Sequence, residues 1–375
     1  MGKRILTAES VTSGHPDKLA DLIADSILDA CLEQDKDSRV ACEVLLTAGK
    51  VIIAGEITTK AIVDYIEMAK MVIEEVGYDT KGVEFEARIH LQSPDIAGGV
   101  FKVGEQGAGD QGIVYGYATD ETLDFLPLPI ELAHRLTDRL EYCRTEGIIK
   151  GLLPDGKSQV SVEYKDGKLS KITSITLSTQ HETWKSVMEL HENIKKNVID
   201  YVFRDIALDK DTEVLINPSG KFVLGGFEAD TGLTGRKLMV DSYGGIAHHG
   251  GGAYSGKDAS KVDRSGAYMA RYVAKNIVAA GLASKCEVSI GYAIGRAEPT
   301  FVDVNTFGTS EYEDEVIATA VNKVFDLRPG AIIEALDLKM PIYAQTAVGG
   351  HFGKEYLMWE QLNKVEEIRE AVLNG

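Results

Sequence analysis

Residues Gly244 to Arg271 read GGIAHHGGGAYSGKDASKVDRSGAYMAR. The first nine, Gly244 to Gly252, hold five glycines and two histidines, a composition foreign to an ordinary strand or helix. Glycine serves where backbone must take positive φ or come close to a ligand, at an entropic cost. Lys257, Asp258, Lys261, Asp263 and Arg264 then alternate in sign as a helical pattern begins. Val262, Met269, Val273, Ile277 and Ala280 fall near one face of that helix, with Gly281 as a stop. A glycine-rich loop running into a helix N-terminus commonly holds phosphates. The interleaved charges favour that reading over a mobile surface loop. Gly251 with Gly256-Lys257 satisfies the P-loop spacing, but Asp258 stands where Ser or Thr should meet magnesium. No clear apolar strand leads into it either. The expectation is a phosphate site that is not a P-loop.

The bulk composition narrows the classes. With 375 residues the chain can form two or three domains around a substantial core. It has no apolar run of bilayer length. The opening MGKRILTAES lacks a signal-peptide core, and Leu6 stands where N-myristoylation needs Ser or Thr. Cys31, Cys42, Cys143 and Cys286 are scattered without a CxxC pair, which predicts reduced thiols and a cytoplasmic protein. The balance of 40 basic against 58 acidic residues, net −18, argues against broad nucleic-acid binding. An acidic protein that holds a polyphosphate must gather local positive charge, from clustered Lys and Arg or from metal ions.

Outward from that stretch, residues 14–33 begin Gly14-His15-Pro16-Asp17-Lys18 and continue as an amphipathic helix. An imidazole, a hard oxygen ligand and an ammonium thus crowd one helix start. Val40–Thr47 and Val51–Thr58 read as a hairpin closed at Ala48-Gly49, with Glu43 and Glu56 on one face. A helix over about Thr59–Val76 and a strand over Val83–Leu91 follow. Ser93 to Gly112 shows no periodicity, as a lid or binding loop would. Gly107 to Gly112 matches G-x-G-x-x-G, but a strand, Ile113–Thr119, follows where a dinucleotide fold needs a helix. Pro129–Glu146 is helical. Leu153 to Lys157 reads as a turn opening a second hairpin, Ser158–Tyr164 with Lys168–Ser178, and Thr183–Phe203 as the next helix. Glu213 to Val240 holds short strands, Asp230 and the pair Arg236-Lys237. Strands at Cys286–Tyr292 and Thr300–Thr306, a helix over about Glu311–Phe325 and an irregular segment Pro341–Gly375 complete the chain. Helix, hairpin, helix therefore occurs three times, near 17–76, 129–203 and 260–326. That order predicts an α+β protein of three modules, helices on one side of mostly antiparallel sheets, whose bare faces call for oligomerisation.

The motifs GHPDK (14–18), GEITT (55–59), QSPDI (92–96), GAGDQG (107–112), DGKSQV (155–160), GLTGRK (232–237) and HGGGAYSGKD (249–258) together resemble the S-adenosylmethionine synthetases, or methionine adenosyltransferases. The resemblance runs in order from about residue 5 to 360. It implies three similar α/β-sandwich-like domains around a pseudo-threefold axis, 1–98, 107–228 and 229–375. The loop 93–106 would be a gate, its part 99–106 lying between the first two domains. It implies a homodimer with sheets packed at the interface and active sites there, and a dimer of dimers. It implies ATP and L-methionine as substrates, with Mg²⁺, two per site, and K⁺ as cofactors. The implied reaction is attack of the methionine sulfur on C5′ of ATP, then hydrolysis of the released triphosphate to pyrophosphate and phosphate.

By resemblance, His15 would bond the oxygen leaving C5′. Asp17 and Asp263 would hold magnesium, and Glu43 would be linked to potassium. Lys157, Arg236, Lys237 and Lys257 would hold the polyphosphate, with Lys261 close by on the methionine side. Glu56, Gln92 and Asp230 match the methionine side, and Asp110 lies near the sulfur. Asp155, Ala253, Asp230 and the pair Lys221-Phe222 belong to the ATP side. Two departures stand out: the span from Gly77 to Gln92 is short, and Lys221 replaces the usual arginine, losing its planar fork. Rival readings are an NTPase using the glycine-rich loop alone and a nucleotide-binding regulator without turnover.

Overall fold

The computed structural model describes residues 2–92, 101–102 and 105–374. The first unit comprises strand β1 (Lys3–Val11), helix α1 (Pro16–Gln34), the hairpin β2 (Arg39–Thr47) and β3 (Lys50–Thr58), helix α2 (Tyr65–Val76) and strand β4 (Glu84–His90). The second comprises β5 (Gly112–Thr119), α3 (Leu128–Thr145), the hairpin β6 (Leu152–Lys165) and β7 (Lys168–His181), α4 (Val187–Ile194) and β8 (Glu213–Ile216). The third comprises β9 (Gly232–Leu233), α5 (Val262–Ala279), the hairpin β10 (Lys285–Tyr292) and β11 (Phe301–Asn305), and α6 (Asp314–Val324). Two further helices, α7 (Pro329–Ala335) and α8 (Val365–Leu373), follow. The threefold helix–hairpin–helix order read from the sequence is present.

The sheets do not respect the units. Their orders are β9-β2-β3-β4, β1-β6-β7-β8 and β11-β10-β5. Each unit's leading strand pairs with the hairpin of the next unit, and the third unit's closes the ring on the first. β1 pairs antiparallel with β6 from Lys3↔Lys165 to Val11↔Lys157. β5 pairs with β10, and Gly232-Leu233 with Leu45-Leu46 of β2. The fourth strands of the first two sheets add in parallel, β4 on β3 and β8 on β7.

Several boundaries differ from the sequence reading. α2 starts six residues later than expected because Asp64 caps it, its carboxylate accepting from Ile66 N and Glu67 N. At its other end Gly77 takes the expected left-handed turn, φ 110°. The segment 153–157 is not a turn but the start of β6, with its register to β7 shifted between Leu152 and Gly156. The fourth helix begins at Val187, capped by Ser186, and runs into a π-helical turn at Lys195–Ile199. α5, expected to show one apolar face, is enclosed nearly all round, with Arg264, Arg271, Lys275 and Asn276 inside. The supposedly irregular end of the chain provides the enclosure. Glu360 takes Arg271 in a two-point pair at 3.0 and 2.9 Å, and Trp359 stacks on Tyr268 at 3.9 Å. One apolar core joins the first and third units and takes in β5 of the second, and a second core belongs to the middle unit alone. All four cysteines are free and buried. Among the described residues, no helix is long and apolar enough to cross a membrane.

Candidate active site

Strand exchange assembles the first cluster. β1 ends against Lys157, and Thr12 continues the pairing by donating to Gly156 O at 3.0 Å. The chain then turns into α1, with Pro16 at the first helical position and His15 as N-cap. His15 Nδ1 accepts from Asp17 N at 3.2 Å, which leaves the ring proton on Nε2. Burial, with Lys237, Lys157 and Lys18 nearby, pushes the imidazole down to about 3, so it is neutral at physiological pH. β9 arrives from the third unit and donates Leu233 N to Asp17 Oδ1 at 2.9 Å. The bend after it brings Lys237 Nζ to Asp17 Oδ2 at 2.5 Å and Arg236 Nε to Oδ1 at 3.4 Å. Desolvation alone would raise the Asp17 carboxyl, but Lys237 and the Leu233 N–H overcome it and hold it below its usual value. Lys157, partly exposed, meets Glu9 at 2.7 Å.

Asp155 lies on the same side. It accepts from Gly226 N at 2.8 Å, and burial, reinforced by Asp230, lifts it to about 6. Phe222 is fixed by its backbone, donating to His181 Nε2 at 3.0 Å and accepting from His181 N at 2.8 Å. Its neighbour Lys221 is exposed, as is Asp230.

The glycine-rich loop builds a second cluster. Its last residues add to the edge of β2: Cys42 N donates to Gly256 O at 2.8 Å and Asp258 N to Val40 O at 3.0 Å. Gly256 has φ 80°, and a Cβ there would overlap the Cys42 carbonyl, so only glycine fits. α5 begins five residues beyond Lys257, at Val262, so this turn is not a P-loop, as Asp258 had suggested. Asp258 is buried instead, accepting from Val40 N at 2.7 Å and pairing with Lys261. Lys257 pairs with Asp263 at 2.8 Å, and Gly252 packs so closely on that carboxylate that a Cβ there would push it aside. Gly112 also faces Asp263, which places the exposed Asp110 near this cluster. Glu43 and Glu56 share the outward face of the hairpin, in register with Ala54 and Ala41. Lost hydration lifts the Glu43 carboxyl, with Lys257 opposing and Asp21 and Glu56 adding to it. Gln92 N donates to Thr58 Oγ1 at 3.1 Å, setting Gln92 beside the Glu56 end of β3. The gate expected at 93–106 falls largely outside the described residues.

The two clusters touch where Ala253 packs on Gly235. Among the described residues no hydrogen bond or ion pair joins the one built on His15, Asp17, Asp155, Lys157, Arg236 and Lys237 to the one built on Glu43, Lys257 and Asp263. What the sequence reading missed is the support beneath them. Lys18, Asp21 and Asp25 lie along one side of α1 and are wholly buried. Asp21 accepts from Gly235 N and Asp25 from Gly256 N, each at 2.8 Å. Asp25 also takes Arg264 in a two-point pair at 2.6 and 2.8 Å, and Arg264 donates to Lys257 O at 3.2 Å. Helix α1 thus fixes both the Gly235 and the Gly256 bends. The sequence offered only the spacing of Asp21, Asp25 and Asp29, three carboxylates on one face of α1, a pattern that a solvated face shares.

Among the described residues, no group of three or more His, Cys, Asp or Glu side chains gathers as a metal site. Asp17 and Asp263 are instead single carboxylates, each beside a lysine. Mg²⁺ commonly uses one or two carboxylates with phosphate oxygens completing its shell, so these donors fit a metal arriving with a polyphosphate.

Residues 3–94, 105–222 and 224–361 match, in that order, the N-terminal, central and C-terminal domains of S-adenosylmethionine synthetase. The chain is also 49% identical over 390 aligned positions to an S-adenosylmethionine synthase from Clostridium botulinum (strain Alaska E43 / Type E3), covering 99% of this chain and 100% of that protein.

Proposed function

Since the chain belongs to the S-adenosylmethionine synthetase family and makes S-adenosylmethionine from L-methionine and ATP, we propose that its two clusters are the halves of an active site completed by a second copy of the chain. The observation that carries this reading is the pairing of each polyphosphate lysine with a carboxylate of its own cluster, with no bond between clusters. The domains are 1–98, 107–228 and 229–375, with 99–106 as the gating loop. The protein works in the cytoplasm as a homodimer, two of which form the tetramer.

The chemistry needs no protein nucleophile. Methionine sulfur attacks C5′ directly, so the task is alignment and stabilisation of charge on the departing triphosphate. His15 faces the C5′ oxygen with its Nε2–H, a neutral donor whose orientation Asp17 N fixes. Lys157, Arg236, Lys237 and Lys257 take the phosphates, concentrating positive charge in a protein of net charge −18. Asp155, Lys221, Phe222, Asp230 and Ala253 line the ATP side. Glu56, Gln92, Asp230 and Lys261 line the methionine side, with Asp110 near the sulfur. The family uses metal ions. Here Asp17 and Asp263 would hold two Mg²⁺ and Glu43 would sit by K⁺, and these cations supply neutralisation of the triphosphate. Hydrolysis of the retained triphosphate follows in the same cationic setting.

The test is one assay with ATP, Mg²⁺ and K⁺, with and without L-methionine. Methionine-dependent appearance of S-adenosylmethionine, pyrophosphate and phosphate in equal amounts supports the coupled reaction. Phosphate release without methionine would overturn it. Chelating divalent ions should abolish turnover and Mg²⁺ restore it, and full activity with Na⁺ replacing K⁺ would remove Glu43 from its role.

A further inference from the structure

Beneath both clusters runs a line of buried polar side chains that touch no substrate in the mechanism above. It starts at Asp241, which ends the single helical turn Leu238–Asp241 and whose N–H bonds Lys237 O at 2.9 Å. The Asp241 carboxylate takes Lys18 at Oδ1, and His351 Nε2 lies 3.8 Å from that same oxygen, too far for a hydrogen bond and, among the described residues, without a hydrogen-bond partner. The His351 backbone N–H also donates to Asp241 O at 2.9 Å. Across the imidazole, Nδ1 lies 2.7 Å from the Tyr268 hydroxyl. Arg264 Nε donates to that same hydroxyl at 2.9 Å, so the tyrosine proton points at Nδ1 and the His351 proton sits on Nε2, toward Asp241. Arg264 ends the line at Asp25 and the Lys257 carbonyl. His351, Tyr268 and Arg264 are all wholly buried, and Tyr254 packs on the imidazole at 5.0 Å while Trp359 Nε1 holds the His351 carbonyl at 2.9 Å.

We propose that His351 and Tyr268 are positioning residues for turnover, forming the buried directional link that keeps the Arg236–Lys237 bend and the Gly256–Lys257 turn at a fixed separation. The inference rests on the polyphosphate roles given above to Lys237 and Lys257. Apolar side chains of the same size would fill the volume but impose no direction, whereas hydrogen bonds in a dry interior fix angles as well as distances. A shift of about 1 Å in either lysine is enough to cost on the order of a hundredfold in rate. Because the two clusters of one chain serve different active sites of the dimer, the same link joins one site to the other.

The experiment compares His351→Phe, His351→Gln and Tyr268→Phe in the full-length enzyme, well below each melting temperature. Glutamine can still accept from Tyr268, but phenylalanine cannot. The expected result is a kcat at least tenfold lower in His351→Phe, a methionine KM within about threefold of wild type, and recovery in His351→Gln to within about threefold. A kcat within twofold of wild type in His351→Phe, or a His351→Gln enzyme as slow as His351→Phe, would overturn the proposal and leave the imidazole as filler. If His351→Phe fails to fold, Tyr268→Phe decides, since it removes one hydroxyl and should show the same tenfold loss. Lys257→Met separates the two readings. Wild-type turnover there sinks the polyphosphate assignment, whereas its collapse beside an unaffected His351→Phe sinks the link alone.

Discussion

Lys257 is 21% exposed at its side chain and held by one carboxylate, so Lys257→Met removes a charge without opening the core. Turnover is expected to fall at least about a hundredfold, the scale for losing one preorganised stabiliser of transition-state charge. The melting temperature should barely move, and wild-type-like rates would end the polyphosphate role. His15→Asn is expected to slow sulfonium formation more than hydrolysis of added triphosphate, if the imidazole serves the C5′ oxygen as proposed. Equal loss in both single-turnover measurements would remove it from the leaving-group step. A third case concerns acid stability. His134 is buried, bonded through Nδ1 to Ser10 at 2.8 Å with Nε2 unpartnered, and desolvation pushes it down to about 3. Its folded value lies below the unfolded value of about 6.5, so its contribution is complete above pH 6.5 and is lost as pH falls toward 3. By pH 5 the loss reaches about 2 kcal/mol. Unfolding free energies of His134→Gln, measured from pH 7.5 to 5, should show that much less acid sensitivity; an unchanged slope would mean the ring already carries its proton in the folded state.

At the scale of elements, the turn carrying Lys257 has its shape imposed from outside. Gly256→Ala combines strain at φ 80° with overlap of the Cys42 carbonyl, so the turn must leave the β2 edge. Activity should drop with stability, the loss exceeding the roughly 1 kcal/mol that a Gly→Ala change gains at a compatible position, and a fully stable, active variant would show the edge pairing to be dispensable. Helices, hairpins and the threefold order were legible because caps, periodicity and two-residue turns depend on neighbours in sequence. Asp166-Gly167 closes the second hairpin as expected, both residues having positive φ. The late start of α2 at Asp64 and the π-helical turn at Lys195–Ile199 were not legible, since competing caps and packing settle them.

For the whole molecule, two inactive chains should rescue one another if each active site draws its clusters from both. Co-expressed His15→Asn and Lys257→Met subunits form mixed dimers in which one site is intact and the other doubly damaged. With random pairing, half of the dimers are mixed, and activity should recover to about a quarter of wild type. Activity no greater than that of the parents would place both clusters in one chain's own site. The composition made such a partner reasonable, because the outward face of β2 and β3 carries Leu45 and Ile52 beside Glu43 and Glu56.

The sequence alone determined the family and the reaction, because motif residues are constrained by the groups they touch and keep their order along the chain. It also determined the succession of helices and hairpins. Only the tertiary structure decided that each leading strand crosses to the next unit, so that residues 15–17, 155–157 and 233–237 meet. The same holds for the aspartates of α1, whose spacing is equally that of a solvated face. Strand partners and desolvation depend on contacts hundreds of residues apart, which no local pattern encodes.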